Sequence, residues 1–115
     1  MTGSDEATDS RLATYGTLSP GRRNHRQLAG LKGQWRRGTV RGRLAEIGWA
    51  AALGFPGLNL DPAGPLLEVF LFESPDLPAH WPRLDAFEGP GYRRVVTQVC
   101  TTDGELDAWI YVLSA

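Results

Sequence analysis

The stretch Leu84-Asp85-Ala86-Phe87-Glu88-Gly89-Pro90-Gly91-Tyr92-Arg93-Arg94 constrains the chain most, because a helix must stop here and a strand must leave. Pro78 suits the first turn of that helix, where its missing N–H leaves no bond unmade. Trp81, Leu84, Asp85 and Glu88 follow at spacings of three and four, so they share one side. Gly89 can supply a left-handed C-cap, and Pro90 bars continuation. Glu88 then stands on the last turn, where unsatisfied carbonyls make the helix end partly negative and favour a cation instead. Phe87, Trp81, Leu84 and Tyr92 are close in sequence and can dry the site. Both effects penalise the ionised form and raise the pKa, and a more basic carboxylate suits proton transfer. The other reading is a solvated glutamate at a frayed helix end. Position alone favours that reading, since most charged residues are exposed.

The rest of the chain reads mainly as short strands. Arg11 to Gly16 makes a first strand, followed by the turn-rich loop Thr17-Leu18-Ser19-Pro20-Gly21. Gly16 permits close backbone approach, and the amides after it can converge on an anion, although a plain strand-to-turn connection explains it equally simply. Arg22 to Ala29 forms a short helix that Gly30 ends. From Gln34 to Ile47 the pattern is that of strands anchored by Trp35, Val40, Leu44 and Ile47, with Gly38 and Gly42 marking bulges or a strong bend. Phe55-Pro56-Gly57-Leu58 is a turn into a short strand, Leu58 to Leu60. Leu66 to Glu73 is a nearly continuous apolar run and reads as a central strand. Glu68 interrupts it, either as a second carboxylate of interest or, more simply, as an outward-facing strand residue. Arg94 to Thr101 and Leu106 to Leu113 make a final hairpin around Asp103-Gly104. On its last strand Ala108, Ile110 and Val112 lie opposite Asp107, Trp109, Tyr111 and Leu113, so both faces are covered. Many short strands and two short helices imply an α+β fold, a small, mostly antiparallel sheet curled into a barrel with the helices flanking it.

Composition narrows the class. A chain of 115 residues that is 42% hydrophobic can bury a proper core in one domain. We place that domain over residues 11–115 and a polar, acidic, disordered leader over residues 1–10, which lacks the apolar centre of a signal peptide. No run approaches the roughly 18 apolar residues of a membrane helix. The lone Cys100 rules out an internal disulfide and a multi-cysteine metal site, and fits a reducing cytoplasm. His25 and His80 each stand without a second ligand at suitable spacing, so neither points to a metal. No glycine-rich dinucleotide or phosphate-binding motif occurs. Eight of the twelve basic residues lie between Arg22 and Arg43, and no Asp or Glu falls between Ser10 and Ala45. Such a block can attract a polyanion, but with Trp35 the only aromatic available for base stacking, a solvated basic face or attraction for an anionic small substrate is the better reading.

Taken together, four groups of residues resemble one family. Tyr15-Gly16-Thr17-Leu18 with Gly21 and Asn24-His25 is similar to the opening loop of the gamma-glutamylcyclotransferase-like proteins, in their gamma-glutamylamine cyclotransferase or AIG2-like branch. Phe55-Pro56-Gly57-Leu58 resembles their central turn. Leu84 to Gly89 with Tyr92-Arg93-Arg94 resembles their acidic helix end, and Ala108 to Val112 their last strand. The likeness runs from about Leu12 to Leu113, and the order and spacing of the pieces make it specific. It departs at Leu66-Leu67-Glu68, which lacks a glycine that many relatives carry, and at Gly48 to Leu53, which aligns poorly. The resemblance implies a barrel with a pocket at one side and cyclisation of a γ-glutamyl group to 5-oxoproline with release of an amine. It maps the catalytic carboxylate onto Glu88 and glutamyl binding onto Tyr15, Gly16, Thr17 and Leu18, with Tyr92 and Tyr111 positioning Glu88 or the substrate, or simply packing the core. It implies a cytoplasmic enzyme that needs no metal or organic cofactor, acts on a small molecule rather than nucleic acid or membrane, and is a monomer or weak homodimer. The alternative is a non-catalytic binding or regulatory module on the same scaffold.

Overall fold

The structure, a computed structural model, describes residues 7–15, 26–45 and 57–113. Among them are strands β1 (Arg11–Thr14), β2 (Gln34–Ala45), β3 (Gly57–Leu60), β4 (Leu66–Glu73), β5 (Tyr92–Thr101) and β6 (Gly104–Leu113). The helices are α1 (Arg26–Ala29) and α2 (Leu77–Glu88). β2 is one long strand with two partners. Residues 34–41 pair antiparallel with β4, and residues 42–45 pair with β3. β4 pairs with β1, β1 runs parallel to β6, and β6 forms a long antiparallel hairpin with β5. Thr39 of β2 pairs with Cys100 of β5, which closes five strands into a barrel and leaves β3 as an extra strand on β2. This is the expected α+β barrel, mixed only where β1 meets β6.

Closure depends on Gly38. A β-carbon there would lie 2.5 Å from Val99 Cγ1 and 2.9 Å from the Cys100 carbonyl oxygen. The glycine thus serves a close approach of β2 to β5, where the sequence suggested a bulge. Gly38→Ala is expected to destabilise the fold by about 1–3 kcal/mol through overpacking at this seam. Urea unfolding checks this, and a variant as stable as wild type would contradict the account of closure.

Two apolar layers sit on the two sides of the sheet. Ala13, Val40, Val69, Leu71, Val99, Ala108, Ile110 and Val112 fill the barrel. Leu12, Leu28, Phe72, Leu77, Trp81, Leu84 and Tyr111 pack between barrel and helices. β6 supplies both layers by alternation, since successive side chains point to opposite faces.

Three boundaries differ from expectation. Residues 7–9 are helical, Thr8 is buried, and the Ser74 amide donates to the Ser10 carbonyl at 2.8 Å, so ordered packing begins inside the expected leader. The last hairpin turns through Thr102 and Asp103, with Gly104 at φ 105° already paired to Thr101. The hairpin expected at Asp103-Gly104 forms, but Asp103 has no positive φ, so these two residues are not themselves a two-residue loop. Instead the Thr101 hydroxyl accepts the Asp103 amide at 3.1 Å and donates to the Gly104 carbonyl at 2.9 Å. Gly89 ends α2 at φ 82° and ψ −178°, a region essentially reserved for glycine, rather than in the left-handed helical cap. Of the segments read from sequence, Gly16–His25 and Glu46–Pro56 lie outside the described residues.

Candidate active site

α2 begins where Ser74 and Asp76 turn the chain. The Asp76 amide donates to Ser74 Oγ at 3.1 Å, and the Asp76 carboxylate accepts the Lys32 amide at 2.9 Å instead of capping its own helix. Leu77, Trp81 and Leu84 form the buried side of α2, at the expected spacing, and seat it on the outer layer with Leu12, Phe72 and Tyr111. That seating carries the end of α2 towards one end of the barrel. Four elements meet there: the end of β1 at Tyr15, the start of β5 at Tyr92, the end of β6 at Tyr111, and Glu88 on the last turn of α2.

Glu88 is only partly accessible. Burial penalises its charge and pushes its carboxyl from 4.5 up to about 7, so it is shared between acid and base forms near neutral pH. Its charge reaches all three tyrosines. The Tyr15 phenol is pushed well up by burial first, with Tyr92 and Glu88 adding and the Leu58 backbone opposing. Tyr92 is raised by burial and then by Glu88. Tyr111 is raised by burial, then by its hydrogen bond to Asp85. All three stay protonated at neutral pH, and Tyr15 and Tyr111 donate their O–H groups. The Tyr15 hydroxyl donates to the Tyr111 carbonyl at 2.6 Å, which ties the residue after β1 to β6.

The expected site residues that are described, Glu88, Tyr15, Tyr92 and Tyr111, therefore come together. Tyr111 both packs in the core and donates a hydrogen bond. Gly16, Thr17, Leu18 and His25 lie outside the described residues. Glu68 is an exposed strand residue, as its simpler reading had it. His80 Nδ1 accepts from Arg83 at 3.2 Å on an exposed helix face. No cluster of three or more metal-ligating side chains occurs among the described residues.

One group was missed in the sequence. Arg94 Nε donates to Asp85 Oδ1 at 2.8 Å, and its NH2 group donates to Oδ2 at 3.2 Å. The Tyr111 hydroxyl donates to the same Oδ1 at 2.7 Å. The guanidinium holds the Asp85 carboxyl below its usual range. Asp85 and Glu88, one turn apart, are thus driven in opposite directions, the pattern by which a structure separates a fixed anion from a proton carrier. The spacing of Asp85 and Arg94 around a helix stop was the available signal.

A family model described as gamma-glutamyl cyclotransferase, AIG2-like, matches residues 12–115. The chain belongs to this family. Solved structures of similar fold include YkqA from Bacillus subtilis, 27% identical with a TM-score of 0.70 over 91% of this chain. The chain spans 36% of YkqA. An AIG2-like protein from Mus musculus is 22% identical with a TM-score of 0.72, over 91% of this chain and 77% of its own. An uncharacterized protein from Pyrococcus horikoshii is 24% identical with a TM-score of 0.64, over 91% of this chain and 78% of its own. The last two likenesses are of fold alone. No curated protein matches the chain in sequence. The family and the fold support a gamma-glutamyl cyclotransferase-like function. Among the described residues no helix is long and apolar enough to cross a membrane.

Proposed function

We propose that the protein cyclises a γ-glutamyl amine or amino acid to 5-oxoproline and releases the amine, with Glu88 as base and then acid. The observation that carries this reading is Glu88 itself, a partly buried carboxyl raised to about 7, facing three tyrosines at the end of β1 where the expected glutamyl-binding loop begins. The substrate's α-ammonium must lose a proton before it can attack the γ-carbonyl. Glu88 takes that proton, the amine nitrogen bonds to the carbonyl carbon, and a tetrahedral oxyanion forms. Glu88 then gives that proton to the leaving nitrogen as the oxyanion re-forms its carbonyl and the old amide bond breaks. The ring nitrogen, which still carries one proton too many, gives it to the released amine, which departs as an ammonium. Amides of Tyr15, Gly16, Thr17 and Leu18 are the oxyanion donors, each worth about 3 kcal/mol in comparable sites. Tyr92 and Tyr111 hold the surroundings of Glu88. Bringing amine and carbonyl together within one bound molecule supplies much of the remaining acceleration. The reaction needs no metal or organic cofactor.

The basic block supports a small-molecule site over a nucleic-acid site. Arg36 pairs with Glu73 and Asp103, Arg43 with Asp61, and Arg41 donates to the Gly64 carbonyl. Three of the eight cations of this block are thus answered within the chain. In this reading the enzyme works in the cytoplasm as a monomer or weak homodimer. The test is release of 5-oxoproline from a panel of γ-glutamyl amino acids and amines. Product from at least one member is expected. No product from any, with the protein folded, would favour the non-catalytic binding module.

A further inference from the structure

The last turn of α2 carries Glu88 but lacks the anchor that seats the rest of the helix. The buried series Leu77, Trp81, Leu84 ends one turn earlier. Asp85, Ala86 and Phe87 are exposed, Phe87 at 40%. Gly89 has no side chain to seat the turn and is held by backbone bonds alone, its amide donating to the Asp85 carbonyl at 3.1 Å and its carbonyl accepting the Tyr92 amide at 3.2 Å. A helix docks through its apolar face, so the turn after Leu84 frays unless a polar group fixes it.

Such a group is present. The Asp85 carboxylate receives two N–H groups of Arg94 from β5 and the hydroxyl of Tyr111 from β6, and so ties the helix end to both strands. Arg94 is itself immobilised, with its guanidinium carbon 4.3 Å from the ring centre of Trp81 and 4.3 Å from that of Trp109. Both indoles are held from behind by Asp9. Trp109 Nε1 donates to its carboxylate at 2.8 Å, and Trp81 Nε1 donates to its carbonyl at 3.0 Å. An ion pair whose acid is 45% exposed contributes little stability. What the planar fork and the corner formed by the two edge-packed indoles supply is direction.

Resting on the reading of Glu88 as the base, we infer that Asp85 and Arg94 are positioning residues that clamp the last turn of α2 to the barrel, with Asp9 backing the two tryptophans that hold Arg94. Displacement of a catalytic group by about 1 Å can cost roughly 100-fold in rate, so the clamp acts on turnover more than on binding.

Two variants test this. Asp85→Asn keeps the shape and an acceptor for Tyr111 but removes the ion pair. Arg94→Lys keeps the charge but removes the fork and the stacking. Each is expected to lower kcat by roughly 10- to 100-fold with KM changed by less than about twofold. Each is also expected to move the titration midpoint of the Glu88 carboxyl, read by carbon-13 NMR, from about 7 towards its ordinary 4.5 as the loosened turn admits water. Glu88 also acts on Tyr15, just after β1, Tyr92 on β5 and Tyr111 on β6, and none of these residues is replaced in either variant. Folded variants with wild-type kcat and an unmoved midpoint would overturn the clamp and leave Glu88 as the base. A wild type that releases no 5-oxoproline would defeat the proposed reaction, and the midpoint alone would then decide the clamp.

Discussion

Glu88→Gln is expected to lower kcat/KM for 5-oxoproline release by roughly 10²- to 10⁴-fold, the range that a positioned acid–base group contributes. The amide keeps the volume and outline of the side chain, so the barrel end and the tyrosines around it stay in place. It cannot accept the proton of the substrate's ammonium or return it to the leaving amine. Both transfers pass through one carboxyl here, and no other described carboxyl is placed to substitute. Asp85 is the nearest in sequence on the same side of α2, but Arg94 and Tyr111 hold it as a fixed anion. KM is expected to change little, because glutamyl binding is assigned to the loop after β1. Activity equal to wild type would remove Glu88 from the mechanism.

The same substitution is expected to make the protein more stable at pH 8. Burial raises the folded-state pKa of Glu88 from 4.5 to about 7. The stability linked to its proton is therefore fully present below about pH 4.5 and is lost as pH rises through about 7, where the folded chain must carry a partly buried charge. At 1.36 kcal/mol per pH unit that interval sets a ceiling of about 3 kcal/mol. Residual solvent access and the polar needs of the amide reduce the gain to about 1–2 kcal/mol. Urea unfolding of both proteins from pH 5 to pH 8 is the measurement. The wild type should lose stability relative to the variant as pH rises, and parallel curves would show that Glu88 is solvated. A gain in stability on removal of a functional side chain is the usual mark of a site strained for its work.

The barrel was legible because its strands announce themselves. The apolar run Leu66 to Glu73 is β4 to the residue, and the alternation along Leu106 to Leu113 assigns Ala108, Ile110 and Val112 to the barrel layer and Trp109 and Tyr111 to the outer one. Glu88 was less legible: its position alone favoured a solvated residue, and of the neighbours expected to dry it Trp81 and Leu84 are buried while Phe87 is exposed. What escaped was long-range. Nothing in Asp9 marks it as the partner of two indoles 72 and 100 residues away, and a short polar N-terminal segment reads as leader until Trp81 and Trp109 are brought to it. The pairing of Asp85 with Arg94 spans only nine residues, yet it needs the helix-to-strand turn before the two side chains face each other. The change of partner along β2 was hidden because Gly42 looks locally like an interruption, whereas it is where a single strand passes from β4 to β3.

The pH dependence of 5-oxoproline release by the wild-type enzyme bears most directly on Glu88 as a base tuned by burial. The account predicts that kcat/KM falls tenfold for each pH unit below about 7, because the carboxyl must be ionised in the free enzyme to accept the proton. That acid limb should also move down in pH with the Glu88 midpoint in Asp85→Asn. A profile flat from pH 7 to pH 5, with its fall beginning only near the ordinary carboxylate value, would contradict it.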